Sequence, residues 1–130
     1  MNCYNIITSN NIQIINCQPE FKFLSEKNAL EMVAICGEIG TDRLLFSSAN
    51  LTDEFYNLRT GLAGEVLQKL TNYFIKAAIV IPSDLIPPGH FSELVYELNQ
   101  GWQFRFFETQ EAAVHWLAAL TPVRYSVTCI

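Results

Sequence analysis

A short polar stretch in the middle of the chain holds the residues whose types and spacing best suit binding chemistry. NLRTGLAGEVLQKL, residues 57–70, joins an amide, a guanidinium, a hydroxyl and two glycines three positions apart to a helical pattern. A helix start offers free N–H groups and a partial positive charge, so it can hold an anion or a phosphate. This predicts a regulatory or anion-binding site, whose candidate residues are Asn57, Arg59, Thr60, Gly61 and Gly64.

The residues alone leave two interpretations of this stretch open. In the functional one, Arg59 pairs with a phosphate that is bound in front of Thr60 or attached to it. In the structural one, Asn57 or Thr60 caps the helix, worth about 1 kcal/mol, and the two glycines permit close packing. A P-loop is excluded by spacing, because Lys69 lies too far into the helix to reach a phosphate at its start.

The other reactive side chains form no catalytic or metal-binding pattern. His90 precedes a helix and is predicted to have a loop or cap role, and His115 is predicted to be a partly buried structural residue. Glu93 and Glu97, one turn apart, are predicted to lie on a solvated helix face. We therefore expect a non-enzymatic protein with no catalytic residue, no metal and no cofactor.

Four cysteines, Cys3, Cys17, Cys36 and Cys129, show no C-x-x-C spacing, and no histidine is close to any of them in sequence. A zinc site has little support from this spacing. We expect reduced thiols that are buried or half-buried.

Composition limits the partners that this chain can have. The 130 residues are 50% hydrophobic and 16% charged, with a formal charge of −5, which suits one globular domain. The few basic residues are scattered, so neither nucleic acid nor an anionic membrane surface is an expected partner. No apolar run approaches the roughly 18 residues of a membrane span, and the start does not resemble a signal peptide. These features predict a cytoplasmic protein.

The elements that must position the site follow a ββαβαβαβα order. YNIITSNNIQIINCQ is typical of a hairpin that turns at SNN. Ser25 and Gly40 are predicted to bound the first long helix, and Thr109 to cap the last. The inner face of the first helix is predicted to hold Leu30, Val33, Ala34 and Gly37. The inner face of the second is predicted to hold Leu62, Val66, Leu67, Leu70 and Phe74.

The continuous apolar runs RLLFSS, KAAIVIP and FRFFE are typical of parallel strands covered on both faces. The predicted fold class is therefore α/β, with a mostly parallel or mixed sheet and packed helices. We expect a single domain over residues 1–120 and a C-terminal extension over residues 121–130.

The segment FYNLRTGLAGEVLQKLTNYFIKAAIVI resembles the signature of the bacterial family called domain of unknown function 4180. That signature has an aromatic residue, D or N, L, K or R, and then TGLAGE. FSELVYELNQG and FRFFETQEAAVHWL are similar to the family's next helix, strand and final helix, so the resemblance covers most of residues 1–120. The loop PSDLIPPGH is less typical of the family.

The element order also resembles STAS domains, the sulphate transporter and anti-sigma-factor antagonist domains. In antagonist-type members the second helix begins with a D-S-S-G-like motif whose serine is phosphorylated to switch partner binding. On this resemblance Thr60 stands in the place of that serine and Asn57 near the acidic residue, although Arg59 and the missing aspartate depart from the pattern. The resemblance implies a non-catalytic regulatory domain with a protein partner. The alternative is a small-anion or nucleotide sensor that uses the same helix end, and a homodimer fits the high apolar content.

Overall fold

In the computed structural model, which describes residues 3–119, the chain begins with an antiparallel hairpin. Its strands are Tyr4–Ser9 (β1) and Ile12–Cys17 (β2). Asn10 and Asn11 join them at φ values of 55° and 64°, a left-handed region that asparagine tolerates better than most residues. Two consecutive left-handed residues form a turn whose twist matches that of the flanking strands. The hairpin predicted at SNN is confirmed.

Strands and helices alternate after the hairpin. The strands are Arg43–Ser47 (β3), Lys76–Val80 (β4) and Phe104–Phe107 (β5), and the helices are Glu26–Ile39 (α1), Asp53–Tyr56 (α2), Leu62–Asn72 (α3), His90–Asn99 (α4) and Gln110–Ala118 (α5). The sheet order is β1-β2-β3-β4-β5, and every pair after the hairpin is parallel. The predicted α/β class and mixed sheet are confirmed. The one-turn helix α2 is an addition to the predicted order.

Helices cover the sheet on both faces, which explains why its inner strands are continuously apolar. Leu44 and Phe46 of β3 join the cluster under α1, α3 and α4, whereas Leu45 joins the cluster under α5. All three side chains are at most 1% exposed. Alternate residues of β3 thus enter opposite layers of the core.

The capping residues predicted for α1 are confirmed, but its predicted inner face is wrong. Ser25 Oγ accepts from the Lys27 N–H at 3.3 Å, and Gly40 ends the helix in a left-handed conformation. The residues that α1 buries are Ala29, Met32 and Cys36. Of the predicted face, Leu30, Ala34 and Gly37 are exposed and Val33 is only half-buried. Apolar residues occur around most of the circumference of this helix. Their spacing is therefore compatible with two different buried faces, offset from each other by about one residue.

The prediction for α3 fails at its last residue. Leu62, Val66, Leu67 and Leu70 are buried as predicted, but Phe74 is 81% exposed. The helix ends at Asn72, and Phe74 has a φ of 59°, which turns its side chain to solvent. Thr109 caps α5 as predicted, since its Oγ1 accepts from the Ala112 N–H at 3.2 Å. The predicted extension, residues 121–130, lies outside the described residues.

Candidate functional site

The predicted site forms a joint between two helices. A 3-10 turn, Leu58–Thr60, lies between α2 and α3. Asn57 Oδ1 accepts from the Arg59 N–H at 3.2 Å, so this asparagine caps the turn and not α3 itself. The backbone N–H of Gly61 closes the turn on the Leu58 carbonyl at 3.2 Å. The joint is therefore held by local hydrogen bonds at the surface.

The Thr60 hydroxyl links the two helices. Its Oγ1 lies 2.7 Å from the Glu54 carbonyl oxygen and 2.9 Å from that of Asn57, and it can donate its proton to either. The same oxygen accepts from the Leu62 N–H, the first amide of α3, at 3.2 Å. Thr60 is nonetheless exposed. A chemical change at this one accessible side chain would disturb the connections to both helices.

The two glycines of the site have different roles. Gly61 adopts φ 82° and ψ −7°, a conformation in which a Cβ is strained. Gly64 is exposed, and a Cβ added there would meet nothing within 4 Å. The predicted close packing at Gly64 is therefore wrong. The small residue that packs closely is its neighbour Ala63, which is 0% exposed.

The surface around Thr60 is predominantly acidic. Asp53 and Glu54 open α2 and Glu65 lies in the first turn of α3, and all three are exposed. Arg59 is exposed on the turn itself, and it makes no ion pair with a carboxylate of residues 3–119. Residues 53–65 thus carry three carboxylates and one guanidinium, a charge balance that does not favour the binding of an anion.

A groove of about 480 Å³ adjoins this joint. It lies past the carboxyl ends of β3 and β4. The lining residues are Ser48, Ala49, Asp53, Tyr56, Leu85 and Pro87. Motif reasoning missed this groove because its walls, around residues 48–56 and 85–87, are far apart in sequence. Leu85 and Pro87 belong to the loop whose sequence is less typical of the family.

An aromatic contact of Tyr56 and the hydrogen bonds of Asn50 hold two different sides of the groove. The Tyr56 ring packs on Phe91 of α4, with ring centroids 5.0 Å apart. Burial, and after it the Asp53 carboxylate, raise the pKa of Tyr56 above its usual value of 10. Asn50, which is 0% exposed, donates to the carbonyls of Gln18 and Phe21 at 2.8 and 2.7 Å. Its Oδ1 accepts from the Ser47 N–H at 2.9 Å. These bonds fix the end of β3 against the segment that follows β2.

A family model described as Domain of unknown function (DUF4180) matches residues 9–117. This match extends from the last residue of β1 into α5 and includes both the joint and the groove. The chain belongs to this family. Neither the curated proteins nor the solved structures give a match. The predicted family is confirmed, and the STAS-like topology stays a prediction.

The remaining reactive residues of this DUF4180 domain lie apart from the joint. Cys17 and Cys36 are buried free thiols, and Cys3 is half-buried and free. Burial, and after it the Asp42 carboxylate, raise the pKa of Cys36 to about 12. Burial also raises the pKa of Cys17. Their burial matches the prediction of buried or half-buried thiols, while Cys129 lies outside the described residues.

The histidines and paired glutamates are on the surface of the DUF4180 domain. His90 Nδ1 lies 3.4 Å from Glu93 Oε1, and both side chains are exposed. Glu97 is exposed too, so the predicted solvated face of α4 is confirmed. His115 is exposed, so its predicted partial burial is wrong. It lies one position off the stripe that α5 buries.

Residues 3–119 contain neither a metal-binding cluster nor a helix that could span a membrane. Within residues 3–119, no group of three or more His, Cys, Asp or Glu side chains is placed to hold a metal ion. Over the same residues, no helix has the length and apolar character needed to cross a membrane.

Proposed function

We propose that this DUF4180 domain is a non-catalytic regulatory module that binds a protein partner through the surface around Asn57, Arg59, Thr60 and Gly61. The observation that carries the proposal is the Thr60 hydroxyl. It is exposed, yet it hydrogen-bonds to the Glu54 carbonyl of α2 and the Leu62 N–H of α3. A partner that contacts Thr60, or an enzyme that modifies it, acts directly on the geometry of the joint.

Charge favours a protein partner over the alternative, a small-anion or nucleotide sensor. Asp53 and Glu54 in the first turn of α2 and Glu65 in the first turn of α3 outnumber the single positive charge of Arg59. The Leu62 N–H is also already bonded to Thr60 Oγ1. A mixed surface of this kind suits a protein interface, in which each charge can meet its own counterpart.

Modification of Thr60 would act by opening the joint. A phosphorylated Thr60 has no hydroxyl proton to donate, so the carbonyl oxygens of Glu54 and Asn57 would face a phosphate that only accepts hydrogen bonds. Arg59 can pair with that phosphate once the turn has opened. Phosphorylation is thus expected to separate α2 from α3 and to lower affinity for the partner.

Three substitutions at Thr60 separate geometry from charge. Thr60→Ser keeps the hydroxyl, Thr60→Val keeps the shape without it, and Thr60→Glu removes it and adds a negative charge. Each tagged variant is used in a pulldown from a lysate of the source cells. We expect Thr60→Ser to capture the partner as wild type does, Thr60→Val to capture less of it, and Thr60→Glu to capture the least. Equal recovery of the same partners by wild type and Thr60→Glu would refute the proposal.

A thermal-shift panel of nucleotides and phosphorylated metabolites tests the alternative. A ligand present at 100 times its Kd stabilises a protein by about 2.7 kcal/mol. We expect no ligand of the panel to raise Tm. A ligand that raises the Tm of wild type but not of Arg59→Gln would favour the sensor.

A further inference from the structure

The outer edge of β1 is the least protected edge of the sheet. β1 stands at one end of the strand order, and no strand of residues 3–119 lies beyond it. Edge strands usually carry charges or proline, which discourage pairing with another chain. The β1 sequence, YNIITS, has neither, and every Lys, Arg, Asp and Glu of the chain is Glu20 or a later residue. The side chain of Ile6 on this strand is 39% exposed. This edge is therefore open to a further strand.

The hydrogen bonds between β1 and β2 show which backbone groups point to the open edge. The Gln18 N–H donates to the Cys3 carbonyl at 2.8 Å, so Cys3 bonds toward β2. In an antiparallel pair, residues that bond to the partner strand alternate with residues that do not. Tyr4, Ile6 and Thr8 therefore point their N–H and C=O groups away from β2. A strand added at this edge would pair with all of these groups.

The opposite edge of the sheet, at β5, is better protected. This strand has four residues, Phe104–Phe107, and one of them is the positively charged Arg105. The Phe106 N–H already donates to Asn99 Oδ1 of α4 at 2.8 Å. A short strand with a charge and a side-chain partner for its backbone is a poor template for pairing. Of the two edges, β1 is the one suited to another strand.

We propose that β1 pairs antiparallel with β1 of a second copy of this chain, so that the two sheets join across a two-fold axis at Ile6. This register places Ile6 opposite Ile6 of the second copy and Tyr4 opposite Thr8. The residues that point to the edge then exchange N–H···O bonds with each other. An aliphatic pair and an aromatic pair with a β-branched residue both stabilise antiparallel strands.

Charge favours a second copy as the occupant of this edge. The chain has a formal charge of −5, so two copies repel each other over most of their surfaces. Residues 3–19 carry no charged side chain, and self-pairing of β1 places no like charges opposite each other. A two-fold contact uses the same strand in both copies, so it closes as a dimer and covers both edges. The inference does not use Thr60 and is independent of the proposed function.

Sedimentation velocity of the full chain tests the pairing. One short strand from each copy forms a contact smaller than the standard interface of about 1,600 Å², so we expect a Kd of roughly tens to hundreds of micromolar. The average mass should rise from 14.8 kDa towards twice that value with concentration. Added salt should strengthen association, because it screens repulsion between the two copies. A monomer at every concentration up to about 1 mM, or association that salt weakens, would overturn the inference.

A charged substitution tests the position of the contact. Ile6→Lys places two ammonium groups opposite each other on the axis and should weaken the dimer by more than about tenfold. The matched control is Gln68→Lys, which adds the same charge at an exposed position of α3 and should still dimerise. Circular dichroism shows whether each variant is folded. Equal loss of the dimer in Gln68→Lys, or an undiminished dimer in folded Ile6→Lys, would overturn the inference.

Amide hydrogen exchange locates the contact in the wild-type chain, without any substitution. The Ile6 and Thr8 N–H groups should become protected only at concentrations at which the mass rises. The Asn5 and Ile7 N–H groups, which face β2, should be protected at every concentration. If the mass rises while exchange at Ile6 and Thr8 stays unchanged, the dimer forms through another surface and the inference is wrong.

Discussion

Gly61 and Gly64 provide a matched pair of substitutions with opposite predicted effects on stability. Gly61 has a φ of 82°, so Gly61→Ala places a Cβ in the left-handed region, which costs about 1 to 2 kcal/mol. Gly64 is helical and exposed, with open space where a Cβ would lie. Gly64→Ala therefore removes backbone freedom from the unfolded chain without a clash and stabilises the protein by about 0.5 to 1 kcal/mol.

Denaturant unfolding followed by circular dichroism measures both effects in the same host. The two variants should differ by about 1.5 to 3 kcal/mol, the range obtained from the two separate costs. For a chain of this size, each kcal/mol corresponds to a Tm shift of about 3 to 5 °C. Unchanged m-values would show that the compactness of the two end states is the same.

The sign of the Gly64→Ala effect decides between two structures of the joint. Close packing at Gly64 would make a methyl group destabilising, whereas the observed open surface makes it stabilising. A destabilised Gly64→Ala variant, or a Gly61→Ala variant as stable as wild type, would refute the geometry described for residues 57–64.

Three further predictions concern residues outside the joint. Asn50→Ala should destabilise the protein by about 2 to 4 kcal/mol, because it leaves two carbonyls, at least partly buried, and one N–H without their partner. Urea unfolding measures this loss, and a loss below about 1 kcal/mol would contradict the prediction. Burial raises the pKa of Cys36 from 9.0 to about 12. Between these pH values the Cys36 thiol is protonated in the folded state and ionised in the unfolded chain. The contribution of Cys36 to the free energy of unfolding is therefore fully present below about pH 9 and is lost as the pH rises towards about 12. Over this range the free energy of unfolding should decline less in Cys36→Ala than in wild type. Phe74→Gly should raise stability by about 1 kcal/mol in thermal unfolding, because an 81% exposed ring loses little burial and the left-handed φ of 59° is relieved; a lower Tm would show that Phe74 contributes packing.

The most accurate predictions from the sequence concern features that a few neighbouring residues determine. The SNN turn, the caps at Ser25 and Gly40 and the cap at Thr109 all depend on contacts within about four residues, and all are present. The α/β class followed in the same way from alternation of strand and helix patterns. Local chemistry is independent of the rest of the fold, so it can be interpreted without tertiary information.

The wrong predictions concern the direction in which side chains face. Periodicity on α1 allowed two apolar faces, and only packing against α3 and the sheet selects Ala29, Met32 and Cys36. Phe74 continues the spacing of α3, but the helix ends two residues before it. The groove was missed because Asp53 and Leu85 become neighbours only when β3 and β4 pair. Such features depend on tertiary contacts that one sequence does not reveal.

Gly64 links the stability of the joint to its proposed function. Within the TGLAGE motif, Thr60 bonds to both helices, Gly61 needs its left-handed φ, and Leu62 and Ala63 are buried. Gly64 has no such role, and a glycine in a helix costs stability that alanine would restore. The presence of this destabilising glycine is explained if the backbone of a partner protein packs closely against Gly64. We therefore expect Gly64→Ala to raise Tm and, in the same preparation, to weaken partner capture. A more stable variant with undiminished capture would place the partner elsewhere on the domain.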